Sequence, residues 1–329
     1  MVYENLVFEG GGVKGVAYAR IPKLLDEKGI LKNIRRVAGS SAGSIAALLI
    51  ALEYDPCTIA EIIKNMQFQY FQDSYTISYQ IFRLITHYGI HSGEYFSHWI
   101  QSIIRVKLAK KDASFQDLKE QNGKELVITG TNMRTGKTEY FSFKTTPNMP
   151  IWMAVRISIT IPVFFSPISY KGDLYMDGGI LSNFPIWVFD DPHDYSNRTT
   201  SMFSEKTIGF KLSNEKQKEL KMENNYVVPS VSIVIRLMSL LLNHVDTSYG
   251  AAQYKSRTII IDSHNISAVD FHLSREQIEG LIEEGESATR RFLEANDVKD
   301  VRIHNHNSRP IIEINCDDYL DTSSSSEDF

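Results

Sequence analysis

Two short apolar runs near the N-terminus are each followed at once by a glycine-rich break and then by a helical pattern, and this repetition constrains the fold more than any other feature of the chain. In the first unit Leu6-Val7-Phe8 reads as a buried strand, Gly10-Gly11-Gly12 breaks it, and a helical pattern starts at about Val13 and is expected to end near Gly29. Pro22 falls inside that helix, where it would remove a backbone donor and clash with the preceding turn, so a kink is expected there. In the second unit residues 34–38 are strand-like, Gly39 to Gly43 make a tight turn, and residues 45–52 form a helix rich in alanine and leucine. Successive strand-turn-helix units predict an α/β fold built on a parallel sheet.

A single large α/β core can absorb 329 residues without a second domain. One domain over residues 1–320 is expected, with a tail at 321–329, DTSSSSEDF, that lacks the apolar content needed to fold. Between these limits several segments have a readable pattern. Residues 67–104 are rich in aromatics, among them Phe68, Tyr70, Phe71, Tyr75, Tyr79, Phe82, Tyr88, Tyr95, Phe96 and Trp99, and their helical phase is irregular. They are a candidate lid or substrate wall, set against the plainer reading of helices packed on the sheet. Two hairpins are expected, one around Arg134-Thr135-Gly136-Lys137 and one around Lys171-Gly172-Asp173, the second delivering Asp177 to a strand end. Residues 190–204 are polar and read as a surface loop, 208–212 and 258–261 as short apolar strands, and 275–295 as an acidic amphipathic helix.

Charge and cysteine content exclude some classes of function. A formal charge of -5, with Lys and Arg scattered except for short runs such as Lys107 to Lys111, gives no footing for nucleic acid. Cys57 and Cys316 lack any CxxC spacing, so neither a disulfide framework nor a zinc site is indicated, and an intracellular compartment fits best. The first fifteen residues have no charged region leading into an apolar stretch with a cleavage site, so no signal peptide is expected. The longest apolar stretch, 227–242, contains Pro229, several serines and Arg236 and is too short to span a bilayer, so no transmembrane helix is expected either.

Three motifs carry chemistry. Gly39-Ser40-Ser41-Ala42-Gly43 matches G-x-S-x-G in the context that pattern requires, a strand before it and a helix after it. Such a turn projects the Ser41 hydroxyl above the sheet, Gly39 and Gly43 leave room for the crowded backbone, and the helix N-terminus favours negative charge as the hydroxyl loses its proton. The competing reading of Ser41 is a helix cap. Gly10 to Gly15 fits G-x-G-x-x-G, but the second strand runs into Gly39 and Ser41 instead of the acidic residue that would hold a ribose, which argues against a dinucleotide site. As an oxyanion loop it makes better sense, because glycines let backbone amides approach a developing negative oxygen. Gly11 and Gly12 are the leading donors and Gly10 a third. Lys14 either positions this loop or is a solvated lysine at a helix start. Asp177-Gly178-Gly179 is by itself a common turn sequence and gains meaning only beside the other two.

Taken in order, Gly10 to Gly15, Gly39 to Gly43 and Asp177-Gly178-Gly179 resemble the patatin-like phospholipase family. The similarity extends to Ile161-Pro162, Phe164 and Pro167 before the aspartate, to Asn183 and Pro185 after it, and to Val269-Asp270-Phe271, so that it covers about residues 6–293. Glu9 departs from the aspartate or small residue frequent before the loop, and Gly179 stands where alanine is also seen. The resemblance implies a three-layer α/β/α sandwich with a largely parallel central sheet and a Ser41-Asp177 dyad without histidine. It further implies oxyanion donors among Gly10, Gly11 and Gly12, with Lys14, Gly15, Gly39, Gly43, Gly178 and Gly179 supporting the motifs. It points to a glycerophospholipid or lysophospholipid ester as substrate, with galactolipids or neutral glycerides as alternatives, to an acyl-enzyme as intermediate, and to transient contact with a membrane surface, to which 230–242 could contribute an interfacial face unless it is a buried core helix. A protein activator, as some relatives require, is not identifiable in these residues.

A carboxylate is a weak base at neutral pH unless desolvation raises its pKa, so the site is expected to be a partly dry cleft. No calcium loop or other metal-ligand cluster is evident in the sequence, and neither metal nor cofactor is expected. Two rivals stay open. One is a Ser-His-Asp hydrolase in which His193 supplies the imidazole; the other is a lipid-binding protein that keeps the fold without the chemistry.

Overall fold

The computed structural model describes residues 2–67, 76–191, 193, 195, 204–213 and 254–296. The first unit forms β1 (Asn5–Phe8), but the helix expected from Val13 to Gly29 is two pieces, a 3-10 helix at Gly12–Tyr18 and α1 at Ile21–Glu27. Pro22 explains the division. It occupies the first turn of α1, where a missing N–H has no intrahelical acceptor to lose, so it starts a helix instead of kinking one. The second unit is β2 (Arg36–Gly39) followed by α2 (Ala42–Ala51).

β1 lies at the centre of the sheet, parallel to β2 on one side and to β9 (Thr207–Ser213) on the other. The parallel run continues outward to β10 (Thr258–Asp262) beyond β9 and to β4 (Glu125–Asn132) beyond β2. The far end of β4 then pairs antiparallel with β5 (Lys137–Phe141) and with β8 (Asp173–Asp177), and β8 with β7 (Ile168–Tyr170). These antiparallel pairs contain the two hairpins read from the sequence. The sheet is therefore largely parallel, as expected, with the second hairpin ending on Asp177.

Alternation along the strands shows that both faces are covered. Leu6, Phe8, Val37, Leu126 and Ile128 belong to a core shared with α2, with α7 (Ile151–Ser158) and with α8 (Arg275–Ala295). Val7, Ala38 and Val127 point the other way, against Phe184, Ile186, Trp187 and Val188. A parallel sheet buried on both sides needs such near-continuous apolar strands, which is why β1 and β2 stand out in the sequence. α8 begins with a capping box, Ser274 and Gln277 each bonding the other's backbone N–H.

The described part of 67–104 comprises α4 (Ile77–His87), the short strand β3 (Gly89–His91) and α5 (Glu94–Leu108). β3 pairs with β6 (Val163–Phe165) in a small separate sheet. Phe68, Tyr70, Phe71 and Tyr75 lie outside the described residues, as do the stretch 227–242, Cys316 and the tail 321–329. The segment read as a polar surface loop begins inside the protein: Asp190 and Arg257 form an ion pair at 2.6 Å with both side chains buried. Among the described residues no helix is long and apolar enough to cross a membrane.

Candidate active site

Because β1 and β2 are parallel neighbours, the loops at their C-terminal ends are brought side by side. The contact is backbone to backbone. A Cβ at Gly43 would lie 2.3 Å from the Phe8 carbonyl oxygen, and one at Gly39 would lie 2.2 Å from the Gly43 carbonyl oxygen, so no larger residue fits at either position without moving a strand. Gly12 has φ +56° and its Cβ would lie 1.9 Å from the Ala268 carbonyl oxygen, which demands glycine twice over.

Ser41 stands at the turn between β2 and α2 with φ 48° and ψ -127°, outside the regions that L residues favour. Such strain persists only where the surroundings hold it. Here the Ser41 N–H donates to Ser158 Oγ at 2.9 Å, and the Ser41 carbonyl accepts from the Ser44 hydroxyl at 2.6 Å. Ser41 Oγ donates to Asp177 Oδ2 at 2.8 Å. The other carboxylate oxygen, Oδ1, accepts the Gly179 N–H at 2.7 Å, which orients the group. The Asp177 backbone is pinned as well: its N–H donates to the Thr160 carbonyl at 2.9 Å and its carbonyl accepts from the Thr131 hydroxyl at 2.8 Å.

Asp177 is 1% exposed. Burial pushes its carboxyl up to about 7, against the opposing pull of the Gly179 N–H and the Ser41 hydroxyl. A carboxyl poised there can exchange a proton with a hydroxyl at neutral pH, which an exposed aspartate does poorly. An open cleft meets Ser41, lined by Gly12 and by apolar side chains that include Ile45, Ile63, Phe96, Ile161, Phe165 and Phe271.

The glycine loop is fastened to the aspartate motif by Asn183. The Gly10 N–H donates to the Asn183 carbonyl at 3.0 Å, and the Asn183 side-chain amide donates back to the Gly10 carbonyl at 3.1 Å. Gly10 is thereby corrected as an oxyanion donor, since its N–H is already committed. The Gly11 and Gly12 amides donate to no acceptor among the described residues. Lys14 is not the solvated lysine of the plainer reading. It is 4% exposed, and burial lowers its pKa while the nearby Glu9 carboxylate opposes that shift. Glu9 in turn accepts the Leu212 N–H, linking the loop to β9.

His193 is exposed, and its backbone N–H donates to the Asp191 carboxylate. The side chains of Ser41 and Asp177 bond to each other and to Gly179, with no histidine among their partners. Sequence reading missed Ser158 and Thr160, which hold the backbones of Ser41 and Asp177, and Arg156, which is 1% exposed and donates to Thr160 Oγ1 and the Ser92 carbonyl, each at 2.7 Å. All three lie at or just after the end of α7, in the residues that lead into Ile161-Pro162, so that neighbourhood was the one available signal.

The family model for patatin-like phospholipases matches residues 6–190, a span that takes in both glycine loops, Ser41 and Asp177. The chain belongs to that family, and with it to the hydrolases that act on lipid esters. It is 30% identical over 305 residues to the uncharacterized protein YqhO of Bacillus subtilis strain 168, covering 89% of this chain and 98% of that one. It is 28% identical over 207 residues to a probable lipid hydrolase, 463L, of Invertebrate iridescent virus 6, covering 60% of this chain and 67% of that one. The crystal structure of VipD from Legionella pneumophila has the same fold, with a TM-score of 0.59 at 18% identity over 90% of this chain and 67% of that chain.

Proposed function

We propose that the protein removes fatty-acyl groups from membrane glycerophospholipids or lysophospholipids, using Ser41 as nucleophile and Asp177 as its base. The observation that carries this reading is the 2.8 Å hydrogen bond from Ser41 Oγ to Asp177 Oδ2, where the carboxyl is buried and pushed up to about 7 beside an apolar cleft. Asp177 accepts the hydroxyl proton as Ser41 Oγ bonds to the ester carbonyl carbon. The carbonyl oxygen becomes an anion, for which the uncommitted amides of Gly11 and Gly12 are the available donors, and removing one such donor typically costs about 3 to 4 kcal/mol of transition-state stabilisation. Collapse expels the alcohol portion of the lipid, which takes its proton from Asp177. Water then attacks the acyl carbonyl carbon and gives a proton to Asp177; collapse breaks the bond to Ser41 Oγ, which takes that proton back as the fatty acid is released.

The cleft lining supports a long acyl chain over a short polar acid, because apolar walls stabilise each buried methylene by about 0.8 kcal/mol. The test is fatty-acid release from mixed phospholipid vesicles by the wild type, Ser41→Ala and Asp177→Asn, with folding checked by circular dichroism. Loss in both folded variants is expected; full activity in either one refutes the dyad.

A further inference from the structure

α4 is turned inside out relative to an ordinary surface helix. Its charged residue faces inward: Arg83 is 7% exposed, and its guanidinium donates to the Ile90 carbonyl at 3.1 Å and to Ser166 Oγ at 3.0 Å. Four of its five described apolar side chains face solvent, Leu84 being the exception. Tyr79, Ile81, Phe82 and Ile85, with Tyr88 at the C-terminal cap, are between 40% and 72% exposed. They make up five of the ten large apolar side chains that stand exposed among the described residues. A contiguous group of this kind marks an interaction surface rather than scattered surface apolarity.

Position says what it serves. On the inner face Leu84 packs against Ile90, as do Val163 and Val269. Phe165 and Phe271, each two residues further along from Val163 and Val269, line the cleft at Ser41. The exposed face is therefore one layer out from the cleft wall. Charge says what covers it. Residues 74–93 contain no Asp or Glu, although the chain has 40 of them, so nothing there repels the phosphates of a lipid surface. Tyr79 and Tyr88 have apolar rings with polar tips, the combination that suits the boundary between headgroups and acyl chains.

We propose that the outer face of α4 docks the protein on a phospholipid bilayer, inserting Phe82, Ile85 and Tyr88 at the acyl-chain boundary and presenting the cleft to lipid in the membrane. This rests on the reading of the chain as a lipid acyl hydrolase, and it locates a membrane contact on α4. Because insertion, not charge, provides the attraction, neutral phosphatidylcholine vesicles suffice and salt has little effect.

The experiment is flotation of the full chain with phosphatidylcholine vesicles. It uses Ser41→Ala protein with and without Phe82→Ser, Ile85→Ser and Tyr88→Ser together, so that binding is read apart from chemistry. The combined substitutions are expected to weaken binding roughly tenfold or more, at low and high salt alike, while in the Ser41 background hydrolysis of a soluble butyrate ester is unchanged. Equal flotation of both proteins, or no flotation of the parent, overturns the proposal. So does a parent that is dimeric without lipid and becomes monomeric on substitution, which would put a second copy on this face. Loss of ester hydrolysis on Asp177→Asn or its retention bears on the dyad alone. Phe82→Trp provides an arm that needs no disruptive change: brominated lipid is expected to quench its added fluorescence, and no quenching beyond that of the parent's own tryptophans also overturns the proposal.

Discussion

The backbone N–H of Ser41 ends on the side-chain oxygen of Ser158, 2.9 Å away and 117 residues along the chain. That bond satisfies a buried donor in a backbone conformation which few L residues adopt. Ser158→Ala leaves the N–H without its acceptor, at a cost of about 1 to 3 kcal/mol in stability. Because the nucleophile's position depends on it, the rate constant for fluorophosphonate labelling of Ser41 is expected to fall roughly tenfold or more. Labelling at the wild-type rate would show that the elbow holds itself.

Asp177 links activity and stability to pH in opposite directions. As a base it must be ionised, so kcat/KM is expected to rise with pH to a plateau, with a midpoint near the carboxyl's value of about 7. Its folded pKa is raised above the ordinary value of 3.8, so the folded state holds a proton that the unfolded chain has released between those two pH values. Stability from this group is complete below the ordinary pKa and is lost as pH rises toward 7, by about 1.4 kcal/mol for each unit of displacement. Asp177→Asn, neutral at every pH, is expected to melt higher than the wild type at pH 8, with the difference vanishing toward pH 4. Equal melting temperatures at both pH values would show that the buried carboxylate carries no such cost.

His193→Ala separates the dyad from a triad. An exposed side chain outside the hydrogen bonds of Ser41 and Asp177 is expected to leave vesicle hydrolysis within about twofold of wild type, the range of ordinary surface substitutions. Loss of activity in the folded variant would restore the Ser-His-Asp reading.

Ala46 lines the cleft from α2, one residue after Ile45. Ala46→Phe places a ring where an acyl chain would lie, so hydrolysis of a palmitate ester is expected to fall roughly tenfold or more relative to a butyrate ester of the same alcohol. An unchanged ratio of the two kcat/KM values would place the acyl chain elsewhere.

Gly43 tests the packing of the two loops. Gly43→Ala drives a methyl into the carbonyls of Phe8 and Glu9, so strand β1 or helix α2 must shift. A loss of several kcal/mol or outright misfolding is expected, measured by urea denaturation, and a value under about 1 kcal/mol would mean that the junction is soft.

Much of this protein was determined locally. The two strand-turn-helix units, both hairpins and the boundaries of α8 depend on apolar runs, glycine turns and a Ser274-Gln277 cap, which act over a few residues and so are written in the order of the chain. The candidate residues Ser41 and Asp177 were legible for the same reason, since each sits at a strand end marked by glycines. The helix break at Pro22 was misjudged, because whether proline kinks a helix or begins one depends on where the preceding turn stops.

Other features were decided only when distant segments met. Ser158 and Thr160 became supports of the site because α7 packs beside β4 and β8, and nothing in a lone serine or threonine predicts that it will satisfy another loop's backbone. The Gly10 amide was lost as an oxyanion donor when Asn183 folded back onto it. Lys14 lost its water to burial beside Glu9, and the Asp177 carboxyl was raised by the same exclusion of solvent. The aromatic pattern of residues 67–104 could not reveal which of its side chains face outward, because the inward position of Arg83 depends on acceptors from Ile90 and Ser166. Hydrogen-bond partners and desolvation are properties of neighbours in space, and those neighbours exist only once the sheet has closed its two faces.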